Sequence, residues 1–313
     1  MYFPFFRARQ FELLALRDTI DSHISVNNIK PIIEPVNEST RDILRFCEEL
    51  EKVGAGFILI VNPSKGFYQR NAKKIEYLIS ECVQKNSRIE FGFRINDGTP
   101  IKTIKAFLNG YKEYSVSLIH ESSIQEVNEI KELINSIDNF SFNIFIKEGT
   151  GTRYRKKFSD YSNVLLEDGF NKLERNSDYG GEEFFSDLVY SYEEDGYFGF
   201  GDYSIVGDHF TEGGGQARAC AIHITYEEKQ REEVWVHHFL SHPREAVEDG
   251  ATLAAEAIEQ LVLYVREAWE PESYTEAIKD FFLIYDSGKQ TSLAYVKKLS
   301  MRHHLELIDR LLD

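Results

Sequence analysis

Cysteine is scarce in this chain of 313 residues: Cys47, Cys82 and Cys220 stand far apart and form no C-x-x-C pair. That scatter excludes a disulfide framework and points to a reducing, cytosolic setting. Positive charge is also short. Lysine and arginine number 36 against 52 aspartates and glutamates, a net charge of −16. An average field of that sign repels phosphates and argues against general, non-specific nucleic-acid binding. No apolar run approaches the roughly 18 residues needed to span a bilayer. The opening "MYFPFFRARQFELLALRD" is apolar in places, but Arg7, Arg9 and Glu12 interrupt it, so neither a signal peptide nor a membrane anchor is expected. Compact catalytic motifs are missing too. There is no H-E-x-x-H, and "NPSKG" (62–66) lacks the spacing of a phosphate-binding P-loop.

What is present is the composition of a globular protein, 42% hydrophobic and 28% charged. The first half alternates short β-rich runs with amphipathic stretches. "PIIEPV" (31–36), "FILIV" (57–61), "IEFGFRI" (89–95), "SVSLI" (115–119), "FNIFI" (142–146) and "NVLLE" (163–167) read as strands. Helical spacing fills 40–52, 71–84, 99–109 and 122–137, with Thr99-Pro100 as an expected helix start and Ser122 or Ser123 as the next cap. Strand starts recur about every 26 residues, the length of one βα unit. Nearly all-apolar strands imply cover on both faces. The pattern predicts an α/β fold, a TIM-barrel-like (β/α)8 domain spanning 1–313, over an open doubly wound sheet. An acidic, aromatic insertion occupies 170–196 after the sixth strand, "ACAIHITY" (219–226) and "EVWVHHFL" (233–240) read as a hairpin, and helices fill 244–313.

In such a barrel the functional residues sit at the C-terminal strand ends. Those ends carry Glu34, Asn62, Arg94, Asn96, Asp97, His120, Glu121, Lys147, Glu148, Glu167 and Asp168. Glu34 stands out, because a carboxylate between Ile33 and Pro35 on an apolar strand is costly unless paired. Arg94, His120 and Lys147 converging with Glu34 and Asp168 would suit an anionic ligand such as a phosphate. A divalent metal stays open through Glu34, Asp168, Asp208 and His209, whose oxygen-rich set suits magnesium or manganese. The N-terminal Arg7, Arg9, Glu12 and Arg17 are expected to lock the arm that covers the bottom of the barrel.

One segment breaks the acidic balance. "KEGTGTRYRKK" (147–157) places Arg153, Arg155 and Lys156 around Tyr154 and a glycine turn. Two readings stand: a phosphate or nucleic-acid contact with Tyr154 stacking on a base, or a solvated helix start balancing the acidic insertion. Cys220 and His223 differ by an odd strand offset and should face apart, which leaves no local nucleophile–base dyad. His223 and one of His237 and His238 could meet across the hairpin. His303 and His304 are expected on a helix surface or at an oligomer contact.

"GFGDYSIVGDHFTEGGG" (199–215) reads as a strand through Tyr203–Val206, with Asp202 at its entry and Asp208 and His209 at its functional end. The glycines that follow would supply backbone N–H groups or let a lid move.

The segment "YFPFFRARQFELLALRD", followed by "IKPIIEP", "GFGDYSIVGDHF" and "AIHITY…VWVHHF", resembles the beta-protein family, named for a phage beta protein, and within it a bacterial subgroup. Arg7, Gln10, Glu12, Pro31, Glu34, Pro35, Asp202, Tyr203, Asp208 and His209 match its pattern. The resemblance implies a TIM-barrel-like fold and a place in anti-phage defence loci, often beside a partner nuclease, without implying a reaction. Three functions follow as expectations: a defence enzyme or binder of a nucleotide or other phosphate-bearing ligand at the barrel mouth, a non-catalytic sensor or adaptor for a phage component or partner nuclease, and a metabolic barrel enzyme acting on a small anion. A cytoplasmic protein without a membrane partner is expected, and a homo-oligomer is left open.

Overall fold

The computed structural model describes residues 1–21, 28–213, 218–242 and 249–313. Gly214, Gly215 and Arg244, where the glycine turn continues and the C-terminal helices were expected to begin, lie outside the described residues. The contacts divide the chain into two compact units. The first comprises Met1–Leu13, Ser25–Asp168 and Ser191–Tyr203, and the second Leu14–Ile24, Gly169–Tyr190 and Ser204–Asp313.

The first unit is a TIM-barrel-like (β/α)8 fold. Its strands run β1 (Phe5–Phe6), β2 (Ile32–Ile33), β3 (Ile58–Ile60), β4 (Glu90–Ile95), β5 (Val116–His120), β6 (Phe140–Ile146) and β7 (Asn163–Glu167). After β8 (Glu182–Ser186), which lies in the second unit, β9 (Gly199–Asp202) completes the set. All eight barrel strands pair in parallel, in the order β1 through β7 and then β9. A parallel bridge between Tyr2 and Phe200 brings the two ends together, with the Phe3 N–H donating to the Phe200 carbonyl at 2.8 Å. Phe3, Phe5, Ile32, Ile60, Ile119, Ile144, Val164, Leu166 and Tyr203 fill the interior. Helices such as Arg41–Lys52, Ile75–Lys85 and Ile101–Gly110 alternate with the strands and bury one face each, as their periodicity predicts.

Three expectations are corrected here. The first strand is Phe5–Phe6, so the arm thought to cover the bottom is itself part of the barrel. The long insertion therefore follows the seventh barrel strand. The last strand is Gly199–Asp202, while Ser204–Val206 is a single 3-10 turn. Asp202 thus closes a strand where it was expected to open one. The expected caps are also reassigned. Thr99 Oγ1 accepts from the Asn96 N–H, Ser122 Oγ from Asp97, and Ser123 Oγ from Gly151, so these hydroxyls tie loops together. The helices instead begin at Ile101 and Val127.

The second unit carries a three-stranded antiparallel sheet in the order β10 (Ala221–Glu228), β11 (Glu233–Leu240), β8. The predicted hairpin is present but is not part of the barrel. Ile222, Ile224 and Phe239 pack on Leu253, Ala257 and Leu261 of the helix Gly250–Ala268, and helices Glu276–Ser287 and Leu293–Leu312 add to that core. His303 and His304 are fully buried in it and are not surface residues. His303 Nε2 donates to the Thr225 carbonyl at 2.6 Å and Nδ1 accepts from the Thr275 hydroxyl at 2.7 Å. His304 Nδ1 lies 3.0 Å from Thr225 Oγ1.

Candidate functional site at the barrel mouth

Side chains alternate along a strand, so the residue two beyond an inward-facing one faces inward again. Phe5, Ile32 and Ile119 point into the barrel, and so does position 92, where an added Cβ would meet Ile58 and Ile119. Two residues further toward the C-terminal ends stand Arg7, Glu34, Glu121 and Arg94. These four meet.

Glu34 is their centre, with 0% of its surface exposed. Its Oε1 accepts from the Ser64 N–H at 2.7 Å, the Ser64 hydroxyl at 3.1 Å and Arg94 Nη1 at 3.0 Å. Its Oε2 lies 3.7 Å from Arg7 Nε and accepts no hydrogen bond. Arg94 reaches the other way too, donating from Nε to Glu121 Oε1 at 2.6 Å, with Nη2 against the same oxygen. Burial alone would lower the Arg94 pKa, but Glu34 and Glu121 outweigh it and raise the guanidinium above its ordinary value. Asn62 and Arg94 exchange amide and backbone bonds at 2.8 and 2.9 Å, which fixes the β4 end beside the loop carrying Ser64. Asn96 Nδ2 adds a 3.3 Å contact to Glu121 Oε2.

The floor beneath this layer is aromatic. The Arg7 guanidinium stands 5.8 Å and that of Arg94 5.9 Å from the Phe5 ring centre, and Tyr203 packs on Phe5 at 5.0 Å. Arg7 is held from behind, its N–H donating to Glu12 Oε2 at 2.7 Å. The chain turns at Ala8 with φ 51°, and at Ser204, just past Tyr203, with φ 50°. Left-handed backbone at non-glycine residues costs energy and persists where its surroundings demand it.

Other candidates fall elsewhere. His120 does not converge on the mouth, because it is one residue out of phase with Ile119 and faces the outer layer. There it is fully buried. Its Nε2 donates to Asn143 Oδ1 at 3.0 Å and its Nδ1 accepts from the Tyr154 hydroxyl at 2.8 Å. Burial pulls its pKa down to about 4, although the Asn143 bond acts in the opposite sense. Tyr154 is accordingly buried and has no face free to stack on a base. Arg155 is engaged as well, with Nε donating to the Tyr197 hydroxyl at 2.8 Å and Nη1 against the Thr150 carbonyl. Of the basic segment, Arg153, Lys156 and Lys157 remain exposed. Lys147 pairs with Glu167, and the Asp168 N–H donates to Glu148 Oε1 at 3.1 Å. Asp202 accepts from the Tyr2 hydroxyl at 2.8 Å.

Asp208 and His209 are exposed and follow the 3-10 turn in the second unit, where no strand end presents them. Among the described residues no three His, Cys, Asp or Glu side chains are grouped to hold a metal ion, so Glu34, Asp168, Asp208 and His209 are not assembled as a ligand set there. Arg7 is the participant that sequence reasoning placed at the wrong end, and Glu121 the one it passed over in favour of His120. The two-residue phase from Phe5 and Ile119 identifies both. Comparisons with protein-family models, curated proteins and solved structures find no match to this chain.

Proposed function

We propose that the barrel mouth binds a phosphate-bearing ligand of the nucleotide class, and that the protein serves in a bacterial anti-phage defence system, the role implied by its resemblance to the beta-protein family. The observation that carries the ligand reading is Glu34 Oε2, a fully buried carboxylate oxygen that accepts no hydrogen bond and sits 3.7 Å from a guanidinium. A buried acceptor left unmatched is costly. A ligand hydroxyl or amine would satisfy it, and Arg7 would meet the ligand's negative charge in a low-dielectric setting where ion pairing is strong. Sugar hydroxyl and phosphate on one small molecule offer both groups. The position agrees with the general placement of barrel sites at C-terminal strand ends.

The test is calorimetric titration of the purified protein with nucleotides and short oligonucleotides, with and without divalent metal, followed by chromatography for turnover. Saturable binding that Glu34→Gln weakens supports the reading. Failure of every nucleotide to bind, or binding indifferent to Glu34→Gln, refutes it.

A sensor or adaptor role draws on a different observation. Phe184 is 45% exposed on β8, beside Trp235 at 6.3 Å, with Arg231 over the indole at 5.2 Å. Exposed aromatics with an arginine are typical protein-binding anchors. Of the other aromatics in that stretch, Phe185 and Tyr192 are buried, which narrows the surface to Phe184 and its neighbours. A partner nuclease bound through this patch would be released by Phe184→Ser with the mouth intact.

A further inference from the structure

Within the second unit His223 stands directly across the hairpin from His238, and their Nδ1 atoms are 2.8 Å apart. His237 faces the other side, with Nδ1 2.9 Å from Glu182 Oε1. Two ring nitrogens at that distance share one proton, so one ring donates and the other accepts. Glu183 settles which. Its Oε1 lies 3.3 Å from His238 Nε2 without a formed hydrogen bond, and a carboxylate facing a bare ring lone pair at that distance would be repelled, so His238 keeps its proton on Nε2. The His238 Nδ1 is then the lone pair, His223 donates from Nδ1, and His223 Nε2 is left as an acceptor. Burial lowers the pKa of both rings, which keeps both neutral near pH 7. Phe170 and Tyr179 pack on His223 at 4.8 and 4.6 Å and fix its plane.

His223 borders a cavity of about 220 Å³ together with Lys172, Asn176, Cys220, Lys297 and Ser300. This is smaller than the roughly 300–1,000 Å³ of sites for drug-sized ligands, so a small ion is the fitting guest. Two ammonium groups border the cavity, and among the described residues no carboxylate lines it. Lys172 makes no hydrogen bond or ion pair among the described residues. Both lysines act on His223 to disfavour its protonation. Burial pushes the Cys220 thiol up to about 12, so it stays protonated and adds no negative charge. The cavity therefore offers positive charge from the lysines, the second Nδ2 hydrogen of Asn176 (the first goes to the Ala219 carbonyl), and one acceptor from His223, while the Ser300 hydroxyl donates to the Val296 carbonyl.

We propose that this cavity is a second site, separate from the barrel mouth, that takes a small oxyanion carrying its own O–H, with hydrogen phosphate as the minimal case. Lys172 and Lys297 face the charge, and His223 Nε2 accepts the P–O–H hydrogen. Sulfate matches phosphate in size and charge but has no proton to give, and it would set its oxygen against the His223 lone pair.

Calorimetric titration of the full chain at pH 7.5 with sodium phosphate and sodium sulfate, at matched ionic strength, tests this. Phosphate should bind saturably and sulfate at least about tenfold more weakly, while Lys172→Met should weaken phosphate by about tenfold or more. Lys279→Met, an exposed lysine of the same unit, controls for net charge, and circular dichroism confirms that each variant is folded. Nitrogen-15 spectra of the imidazoles should show His223 Nε2 unprotonated and shifting as phosphate is added. The proposal is overturned by absent phosphate binding, by sulfate binding as tightly, or by full affinity in Lys172→Met. Phosphate binding lost in Glu34→Gln and kept in Lys172→Met would assign the ion to the barrel mouth and overturn it equally.

Discussion

Arg94→Met removes the guanidinium that joins Glu34 to Glu121 while keeping most of the side chain's apolar bulk. The gross Coulomb attraction at the 3.0 Å Arg94–Glu34 distance is about 5 kcal/mol at an effective dielectric near 20, and desolvation offsets much of it. The asymmetry of removal decides the cost. Glu34 is fully buried, so its carboxylate is left with one cation fewer, a defect that typically costs about 3–5 kcal/mol. The Ser64 N–H and hydroxyl and the more distant Arg7 remain, which places the expectation at the lower end, about 3 kcal/mol. At about 2–4 °C per kcal/mol, the melting temperature of the barrel falls by about 6–12 °C. Urea unfolding followed by far-UV circular dichroism measures the loss, and hydrogen exchange in peptides covering 57–67 and 90–96 localises it. Tryptophan fluorescence is the wrong probe, since Trp235 and Trp269 both lie in the second unit. Adding Glu34→Leu to Arg94→Met should cost less than the two single changes summed, by about 2 kcal/mol, because the stranded charge is gone. An Arg94→Met loss below about 1 kcal/mol, or strict additivity, would refute the claim that Glu34 depends on this pairing.

Acid should weaken the barrel through His120. The unfolded chain takes up this proton near pH 6.5 and the folded one only near pH 4, so stability is complete above pH 6.5 and falls by about 3 kcal/mol as pH drops to 4. His120→Gln should flatten that slope in urea titrations at pH 7 and 4.5, and an unchanged slope would remove His120 as its source. Gly149→Ala should destabilise the mouth directly, because an added Cβ would collide with the Glu121 carbonyl oxygen. A thermal shift of several degrees together with weaker ligand binding is the expected result. In the second unit Thr275→Ala removes both the bond that caps Glu276–Ser287 and the partner of His303 Nδ1, and should cost about 1–2 kcal/mol in urea unfolding read by tryptophan fluorescence.

Six of the eight barrel strands, β2 to β7, lie at the apolar runs that predict them, and only the first and the last are hidden. β4 to β7 each run five to seven residues and lie within two residues of where apolar runs predict them. β1 is only two residues, too few for any alternation to register, and missing it reverses the apparent position of Arg7 from mouth to base. Glu34 was legible because an acidic residue interrupts an apolar strand. Its partners were not, because choosing Glu121 over His120 needs the inward phase of β5, and only the packed interior sets that phase. β9 is obscured for a different reason. Gly199 and Gly201 read as loop residues, which moves the apparent strand onward to Tyr203–Val206 and turns Asp202 into an entry residue. In the fold, an added Cβ at Gly199 would strike the Phe3 ring and the Met1 carbonyl, and one at Gly201 would strike the Phe3 carbonyl and Leu166. The first and last strands approach this closely only because neither position carries a side chain. The residues that conceal the last strand are the ones that let the barrel close, and closure is what brings Tyr203 against Phe5 beneath the arginines.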